Sequence, residues 1–235
     1  MRSRIRYIKG FTLLEILAGI SIIAILAAIL FPSLKSIRER TRRSECAANL
    51  RQISLGLFAY ANDHDNKLPP AITGGWAGGS QQGNMWGYQI WSYIHDGGAA
   101  FLYPDNSLTF GTPTYAVCLK NVFRCPATRI KAINAPNAIQ PSPPRYSYGL
   151  NCSPAGSVWS AVGQPLSLLA VDKPSQTAMV MESSFPVLDS DAYFNYWGMI
   201  PHAKGCNTLF YDGHIEHVDF ENIPTSSSNT FWSGR

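Results

Sequence analysis

The longest apolar segment of the chain lies close to its start. From Phe11 to Phe31 the sequence FTLLEILAGISIIAILAAILF has 21 residues, of which only Glu15 is charged. A helix rises about 1.5 Å per residue, so this segment matches the roughly 30 Å hydrocarbon core of a bilayer. The pattern predicts a basic segment over 1–10 and a transmembrane helix over 11–32, followed by polar sequence.

The helix is predicted to continue beyond Pro32, over 33–66. Apolar positions recur there at three- and four-residue steps, and the opposite side is charged, so we expect the stripe to pack on a C-terminal domain. Proline lacks an N–H and clashes with the preceding turn, which predicts a kink or local melting near Ala28. Asn62–Asn66 resembles a calcium loop only weakly and is better interpreted as a polar helix end. The stripe comprises Leu34, Ile37, Thr41, Ala48, Leu50, Ile53, Leu57 and Ala61.

Residues 67–235 have short apolar runs separated by Gly- and Pro-rich sequence, which predicts a β-rich globular domain. The fold class is therefore α+β: a long N-terminal helix packed on a small antiparallel sheet with long loops. Asp212-Gly213 lies between alternating runs and predicts the turn of a hairpin. The predicted elements are a loop over 69–87, a short aromatic helix over 88–94, strands over 122–126, 146–151 and 177–182, and the hairpin over 207–218.

Glu15 needs a specific explanation. A carboxylate within a membrane costs at least about 2.5 kcal/mol and marks a functional residue by default. A cleaved secretory signal would have a shorter apolar run followed by a small-residue cleavage site, and neither feature is found here. An uncleaved signal anchor fits the hydropathy but leaves Glu15 unexplained.

The segment from Gly10 to Glu15, GFTLLE, resembles the processing site of type IV prepilins and type II secretion pseudopilins. This resemblance implies that a membrane peptidase cuts after Gly10 and that the new N-terminal residue, Phe11, is methylated. Glu15 and Pro32 then occupy the fifth and twenty-second positions, where the family carries a glutamate and often a proline. It also implies a role for Glu15, pairing with the α-amino group of a neighbouring subunit and so setting subunit register.

A second resemblance covers the C-terminal part of the chain. His202, followed after nine residues by Asp212-Gly213, resembles the signature of a pilin-like subfamily whose C-terminal domain has an obscure role. This resemblance indicates a subfamily but no chemistry. Further similar segments are Arg43-x2-Cys46-x2-Asn49-Leu50-x-Gln52-Ile53, Phe123-x-Cys125-Pro126 and Glu182.

The same region contains four residues that could bind a metal. His202, Cys206, His214 and His217 have spacings compatible with zinc ligation. Strand alternation, however, places His214 and His217 on opposite faces, and the turn explains Asp212-Gly213. We therefore expect a structural His–Asp hydrogen bond rather than a metal site, and no cofactor. Major pseudopilins bind calcium, but no calcium ligands can be assigned here.

The five cysteines are Cys46, Cys118, Cys125, Cys152 and Cys206. Disulfides persist in an oxidising compartment, and the odd number leaves at least one cysteine unpaired. Cys118–Cys125 and Cys125–Cys152 are candidate bridges, whereas Cys46 is expected to be simply buried. The sequence contains no nucleophile elbow or phosphate-binding loop, so we expect no enzymatic activity.

Charge and composition do not indicate a nucleic-acid partner. Four of the 19 basic residues precede Phe11, so the rest of the chain carries 15 basic and 15 acidic residues. The basic run over 38–43 is expected to be a solvated helix face, with anionic lipid headgroups as the alternative. The processing-site resemblance implies a cytoplasmic N-terminus, a single span of the inner membrane and a periplasmic C-terminal domain.

These observations predict a structural subunit that is cut by prepilin peptidase. It would polymerise with other pseudopilins on an inner-membrane assembly platform, into the periplasmic pseudopilus of a type II secretion system. Three alternatives stay open at this point: a type IV pilus subunit for adhesion or DNA uptake, a pilin-anchored module that binds a ligand or metal, and a signal-anchored envelope enzyme.

Overall fold

The computed structural model describes residues 12–71, 86–94, 122–127, 147–155, 164–183, 187–190, 201–202 and 204–235. The chain divides into two compact units, Met1–Thr41 and Arg42–Arg235. Several predictions lie outside the described residues. They concern Gly10, Phe11, Cys118, most of the predicted loop over 69–87 and the start of the strand predicted over 146–151.

Helix α1 runs from Leu13 to Asp63. It is continuous through Ala28 and Pro32, so the prediction of local melting is wrong, whereas the kink stays a prediction. A helix loses only one backbone hydrogen bond to a proline, and the helix-forming residues on either side maintain the helix. Among the described residues, α1 is the one helix long and apolar enough to cross a membrane.

In the first unit, the large apolar side chains of α1 are exposed on every side. Leu13 is 86% exposed, Ile23 66% and Phe31 71%. Leu34 and Ile37 belong to this unit and are 43% and 56% exposed, and their packing on the domain stays a prediction. A helix that is apolar all round is not stable in water and must be surrounded by lipid or by other apolar protein surfaces.

In the second unit, the apolar stripe of α1 is buried. Leu50, Ile53, Leu57 and Ala61 are at most 1% exposed, as predicted, and Cys46 extends the stripe by one turn. Ala48 is exposed, contrary to the prediction, whereas the packing of Thr41, which ends the first unit, stays a prediction. The three- and four-residue spacing that starts from Cys46 therefore defines the buried face of the helix better than the set that includes Ala48.

The end of α1 agrees with the predicted polar terminus. Asp65 and Asn66 both have left-handed backbone conformations, with φ of 54° and 58°. The Asn66 amide donates to the Ala61 carbonyl at 2.9 Å, which satisfies one of the last helical acceptors.

Among the residues that the structure describes, five strands form one sheet in the order β3-β1-β2-β4-β5. The pairs β1/β2, β2/β4 and β4/β5 are antiparallel, whereas β1/β3 is parallel, so the α+β fold class is confirmed with a mixed rather than wholly antiparallel sheet. The strands are β1 (Tyr148–Asn151), β2 (Ala178–Glu182), β3 (Val187–Leu188), β4 (Gly205–Phe210) and β5 (Ile215–Asp219).

Strands β1 to β4 are buried on both faces of the sheet, whereas the edge strand β5 is partly exposed. Along β2, Val180 belongs to the core cluster that contains the stripe of α1, and the next residue, Met181, belongs to a second cluster on the opposite face. Helix α4, which is the short C-terminal helix Thr230–Ser233, contributes Phe231 and Trp232 to this second cluster. In the part of the chain that the structure describes, the sheet is therefore a central layer between α1 and the C-terminal residues.

Two sequence predictions within the domain differ from the structure. The aromatic helix is two separate turns, α2 (Trp86–Gln89) and α3 (Trp91–Ile94), and Trp86 is fully buried. Residues 122–127 form turns rather than a strand. Pro126 has no N–H for a sheet ladder, and Cys125 is tied to α1, which keeps this segment away from the sheet.

Candidate functional site

The N-terminus of α1 is closed by a capping box. The Glu15 backbone N–H donates to the Thr12 hydroxyl oxygen at 3.2 Å, while Glu15 Oε2 accepts from the Thr12 backbone N–H at 2.9 Å and from its hydroxyl at 3.0 Å. This reciprocal arrangement satisfies N–H groups that a helix start otherwise leaves unpaired. The T-x-x-E spacing of Thr12 and Glu15 is the sequence signal for this capping box.

A second group of chemistry-bearing residues lies inside the domain. Cys46 of α1 is disulfide-bonded to Cys125, 79 residues later. Beside this bond lie Glu182 at the end of β2 and His202 just before β4. Potential ligand atoms of these four residues all lie within 4.8 Å of one another. We call these four residues, Cys46, Cys125, Glu182 and His202, the Cys46 cluster.

The polar members of the Cys46 cluster are completely buried. His202 and Glu182 are both 0% exposed, and His202 Nε2 donates to Glu182 Oε1 at 2.9 Å. The same nitrogen lies 3.4 Å from Cys125 Sγ. Burial raises the pKa of the Glu182 carboxyl above its ordinary value, and the hydrogen bond from His202 acts in the opposite direction without outweighing it.

Backbone and side-chain amides hold the cluster in place. The Asn207 backbone N–H donates to Glu182 Oε2 at 2.9 Å, and its side chain donates to the Arg43 carbonyl at 3.1 Å. The Asn49 side chain donates to the Arg124 carbonyl at 2.9 Å, which fixes the backbone beside Cys125. These bonds join α1, residues 122–127, β2 and β4 around one point, so the four side chains are positioned by four separate parts of the fold.

The structure separates the weak zinc candidates of the C-terminal region. His202 lies before β4, whereas Cys206 lies in the second core cluster. His214 stacks on Phe210 at the hairpin turn. The structural His–Asp hydrogen bond that the sequence favoured is formed by His214 and Asp212. His202 bonds instead to Glu182, because His202 and Asp212 lie beyond opposite ends of β4.

Gly213 has the role that the hairpin predicted. Its φ is +91°, a conformation that glycine adopts without strain, and the amide of Gly213 donates to the Phe210 carbonyl at 3.0 Å. A Cβ at this position would lie 3.1 Å from Phe58 of α1, so the turn also packs close to the helix.

Both candidate disulfides predicted from Cys125 are wrong, since its partner is Cys46. Cys152 and Cys206 are both buried. Burial raises the pKa of the Cys152 thiol to about 12, which keeps this thiol protonated and unreactive at neutral pH. The signal for the correct pair was the second resemblance, because Cys46, Cys125, Glu182 and His202 are all among its residues.

Comparisons with known proteins identify the family. A family profile described as "Protein of unknown function (DUF1559)" matches residues 35–165, more than half of the chain. The chain belongs to the DUF1559 family. A second profile, the prokaryotic N-terminal methylation motif, matches residues 5–31 of this DUF1559 protein, and the prepilin resemblance is thereby confirmed. His202, Asp212 and Gly213 lie outside both matches, so the C-terminal signature stays a prediction.

Two curated relatives match part of the DUF1559 protein, and one of them is named a pilin. It is 32% identical over 82 residues to the type IV major pilin protein PilA of Myxococcus xanthus, covering 35% of this chain and 36% of PilA. It is 33% identical over 61 residues to the ComG operon protein 3 homolog of Bacillus licheniformis, covering 26% of this chain and 63% of that protein. The chain thus spans less than two thirds of either relative. No solved structure matched the chain.

The structure and the comparisons together describe a type IV pilin-like protein with a prepilin-type methylation motif. Its N-terminal helix is apolar and exposed, as a membrane-anchored, envelope-assembled protein requires.

Proposed function

We propose that this DUF1559 protein is a structural subunit, not an enzyme, that is processed between Gly10 and Phe11 and polymerises into an envelope filament. The observation that carries the proposal is the methylation motif over 5–31, which includes the start of an apolar helix whose side chains are exposed all round in the first unit. Such a surface is covered first by lipid and then, in the filament, by the same helix of neighbouring subunits. Prepilin peptidase, other pilin-type subunits and an inner-membrane assembly platform are the partners this role requires.

Glu15 is proposed to set the register between subunits. Its bonds to Thr12 use Oε2 alone, and a carboxylate has a second acceptor oxygen, Oε1. A neighbour's methylated Phe11 amino group would bind there after cleavage. In an apolar environment this charge pair is satisfied only when two subunits are in the correct relative position.

The first test is the N-terminal sequence and mass of the membrane-extracted protein from cells with and without prepilin peptidase. The expected result is loss of residues 1–10 and a methyl group on Phe11, both dependent on the peptidase. An intact start at Met1, or cleavage beyond Phe31, would contradict pilin-type processing.

The role of Glu15 is tested with two matched variants in cells that make the filament. Glu15→Ala removes the carboxylate and is expected to abolish assembly. Thr12→Val removes only the hydroxyl of the capping box and is expected to retain most assembly. Equal filament yields from both variants, measured by shearing and immunoblotting, would show that Glu15 acts through the capping box and not through register.

The filament we propose is the periplasmic pseudopilus of a type II secretion system, with the globular unit in the periplasm. The PilA relative favours the second candidate, a type IV pilus subunit, because it is itself named a type IV major pilin. Deletion of the gene separates the two functions. Loss of secreted proteins from the medium with intact surface pili supports the pseudopilus, and loss of pili with intact secretion supports the type IV pilus.

A further inference from the structure

The Cys46 cluster has the ligand set of a zinc site. Zinc in proteins is bound by cysteine sulfur, histidine nitrogen and carboxylate oxygen, and sites that maintain structure have four protein ligands and no open position. The cluster supplies two sulfurs, one imidazole nitrogen and one carboxylate from residues that are all fully buried.

Distances within the cluster fit a tetrahedral ion. With metal–ligand bonds of roughly 2.0–2.3 Å, neighbouring ligand atoms lie about 3.3–3.8 Å apart. His202 Nε2 lies 3.4 Å from Cys125 Sγ and 2.9 Å from Glu182 Oε1, and all four ligand atoms are within 4.8 Å of one another. The 3.4 Å distance lies within this range, whereas the 2.9 Å hydrogen bond would lengthen and the two sulfurs, which are bonded to each other here, would separate on reduction. Four ligands could then surround one ion.

The supporting hydrogen bonds also match those of a metal centre. Ligating side chains in zinc sites are held by further hydrogen bonds that fix their orientation. Glu182 Oε2 accepts from the backbone of Asn207, and Asn49 fixes the carbonyl next to Cys125. These contacts do not involve the sulfur atoms, so they can persist whether or not the sulfurs are bonded to each other.

We propose that the dithiol form of this protein binds one Zn²⁺ ion through Cys46, Cys125, Glu182 and His202, and that zinc and the disulfide are alternative cross-links at the same place. Sulfurs bonded to each other are not thiolates, so the two states exclude one another. The proposal concerns the globular unit and does not depend on the proposed role in a filament.

The interconversion is a thiol–disulfide exchange followed by metal binding. A reducing protein with a dithiol transfers two electrons and two protons to the Cys46–Cys125 bond, leaving two thiols here and a disulfide in the reductant. Zinc then displaces one proton from each thiol, and two Zn–S bonds replace the S–S bond. In either state α1 stays linked to residues 122–127.

The test uses the full-length chain in detergent. One portion is reduced with a phosphine under nitrogen and the other is kept oxidised, and zinc is measured by elemental mass spectrometry after equilibration with Zn²⁺ and removal of the excess. One zinc per reduced chain and none per oxidised chain are expected. Cobalt in place of zinc should give thiolate charge-transfer bands and the strong visible bands of a tetrahedral ion.

Variants identify the ligands. His202→Ala and Glu182→Ala are each expected to weaken zinc binding at least about tenfold, since even supporting residues of zinc sites have effects of that size. Matched controls are His214→Ala and Cys206→Ala, which remove a histidine and a buried thiol outside the cluster and should leave zinc affinity unchanged.

Two results would overturn the proposal. One is a reduced wild-type chain that keeps its circular dichroism spectrum but binds no zinc, or binds cobalt without thiolate bands. The other is zinc binding that is equally tight in the ligand variants and the controls, which would indicate adventitious metal only. If a ligand variant fails to fold, the cobalt spectrum of the wild-type chain decides.

Discussion

Helix α1 carries apolar residues along its whole length but places them in two different environments. In the first unit, large apolar side chains occupy every side of the helix, and Leu13 and Phe31 are 86% and 71% exposed. In the second unit most of them occupy one stripe, in which Leu50 and Leu57 are 0% exposed, although Leu55 lies outside the stripe and is exposed. The difference teaches that the distribution of apolar residues around a helix, rather than their number, indicates whether its partner belongs to the same chain.

The two parts of α1 also differ in how they are held. The first 41 residues contain no cysteine. The second part is tied to the rest of its unit by the Cys46–Cys125 bond and by the hydrogen bond from Asn49. We therefore expect changes in the second part to alter the stability of the folded chain, and changes in the first part to alter assembly. The following predictions test that division.

The largest effect is expected for loss of the disulfide. The bond spans 79 residues, and the loop-entropy relation assigns a cross-link of that length about 4.5 kcal/mol of unfolding free energy. The double variant Cys46→Ala/Cys125→Ala should lose about this much, measured by urea denaturation in detergent. Reduced wild-type protein in the presence of a chelator should lose a similar amount. An unchanged midpoint in both samples would mean that packing alone holds this part of α1.

The second prediction compares two leucines of the same helix. Leu57 is fully buried, whereas Leu55 is 71% exposed. Leu57→Ala removes buried methyl groups and leaves a cavity, so the free energy of unfolding should fall by about 3 kcal/mol. Leu55→Ala should change it by less than about 0.5 kcal/mol. Equal losses in the two variants would contradict the assignment of the buried stripe.

The sequence predicted those features that rest on local pattern. The long helix, its end near Asp63 and the hairpin at Asp212-Gly213 follow from spacing and turn chemistry over a few residues. The stripe was predicted only in part. Ala48 lies seven residues after Thr41 and was therefore included, but it lies only two residues after Cys46 and so points away from the buried face that Cys46 begins. Cys46, which is the true start of the stripe, was expected to be buried but not bonded.

The Cys46 cluster could not be assembled from the sequence. Its members come from α1, residues 122–127, β2 and the start of β4, and only the tertiary fold brings them together. Spacing arguments favour ligands that are close in sequence, which is why His202, Cys206 and His214 were grouped and why His202 was not paired with Glu182. The second resemblance did include all four members of the Cys46 cluster, although it indicated no chemistry for them.

The third prediction compares two glycines, one in each unit. A Cβ at Gly205 would lie 2.3 Å from the Val218 carbonyl oxygen, which is backbone of the paired strand, whereas a Cβ at Gly19 would meet nothing within 4 Å. Gly205→Ala should therefore destabilise the chain by about 2 kcal/mol through displacement of β5. Gly19→Ala should not destabilise it, since alanine favours a helix by about 1 kcal/mol over glycine. Thermal unfolding of both variants tests this, and a stable Gly205→Ala variant would contradict the register of β4 and β5.

The smallest effect is expected at an exposed feature of the second unit, which tests whether exposure rather than position in the chain decides the outcome. Asp212 lies at the hairpin turn with its side chain 35% exposed, next to His214, which in turn lies near Glu216. Partial burial acts to raise the pKa of Asp212, but the hydrogen bonds from His214 outweigh it and lower this pKa below its ordinary value. The carboxylate therefore contributes stability above the pKa of an unfolded aspartate, and the contribution is lost as the pH falls through the lower folded value.

Solvent screening keeps the contribution of Asp212 small, so Asp212→Asn should lower Tm by no more than about 2 °C at pH 7 and should have no effect near pH 2. A loss of many degrees at pH 7 would show that this exposed turn supports the domain as strongly as its core does, and the comparison between exposed and buried positions would then fail within the second unit itself.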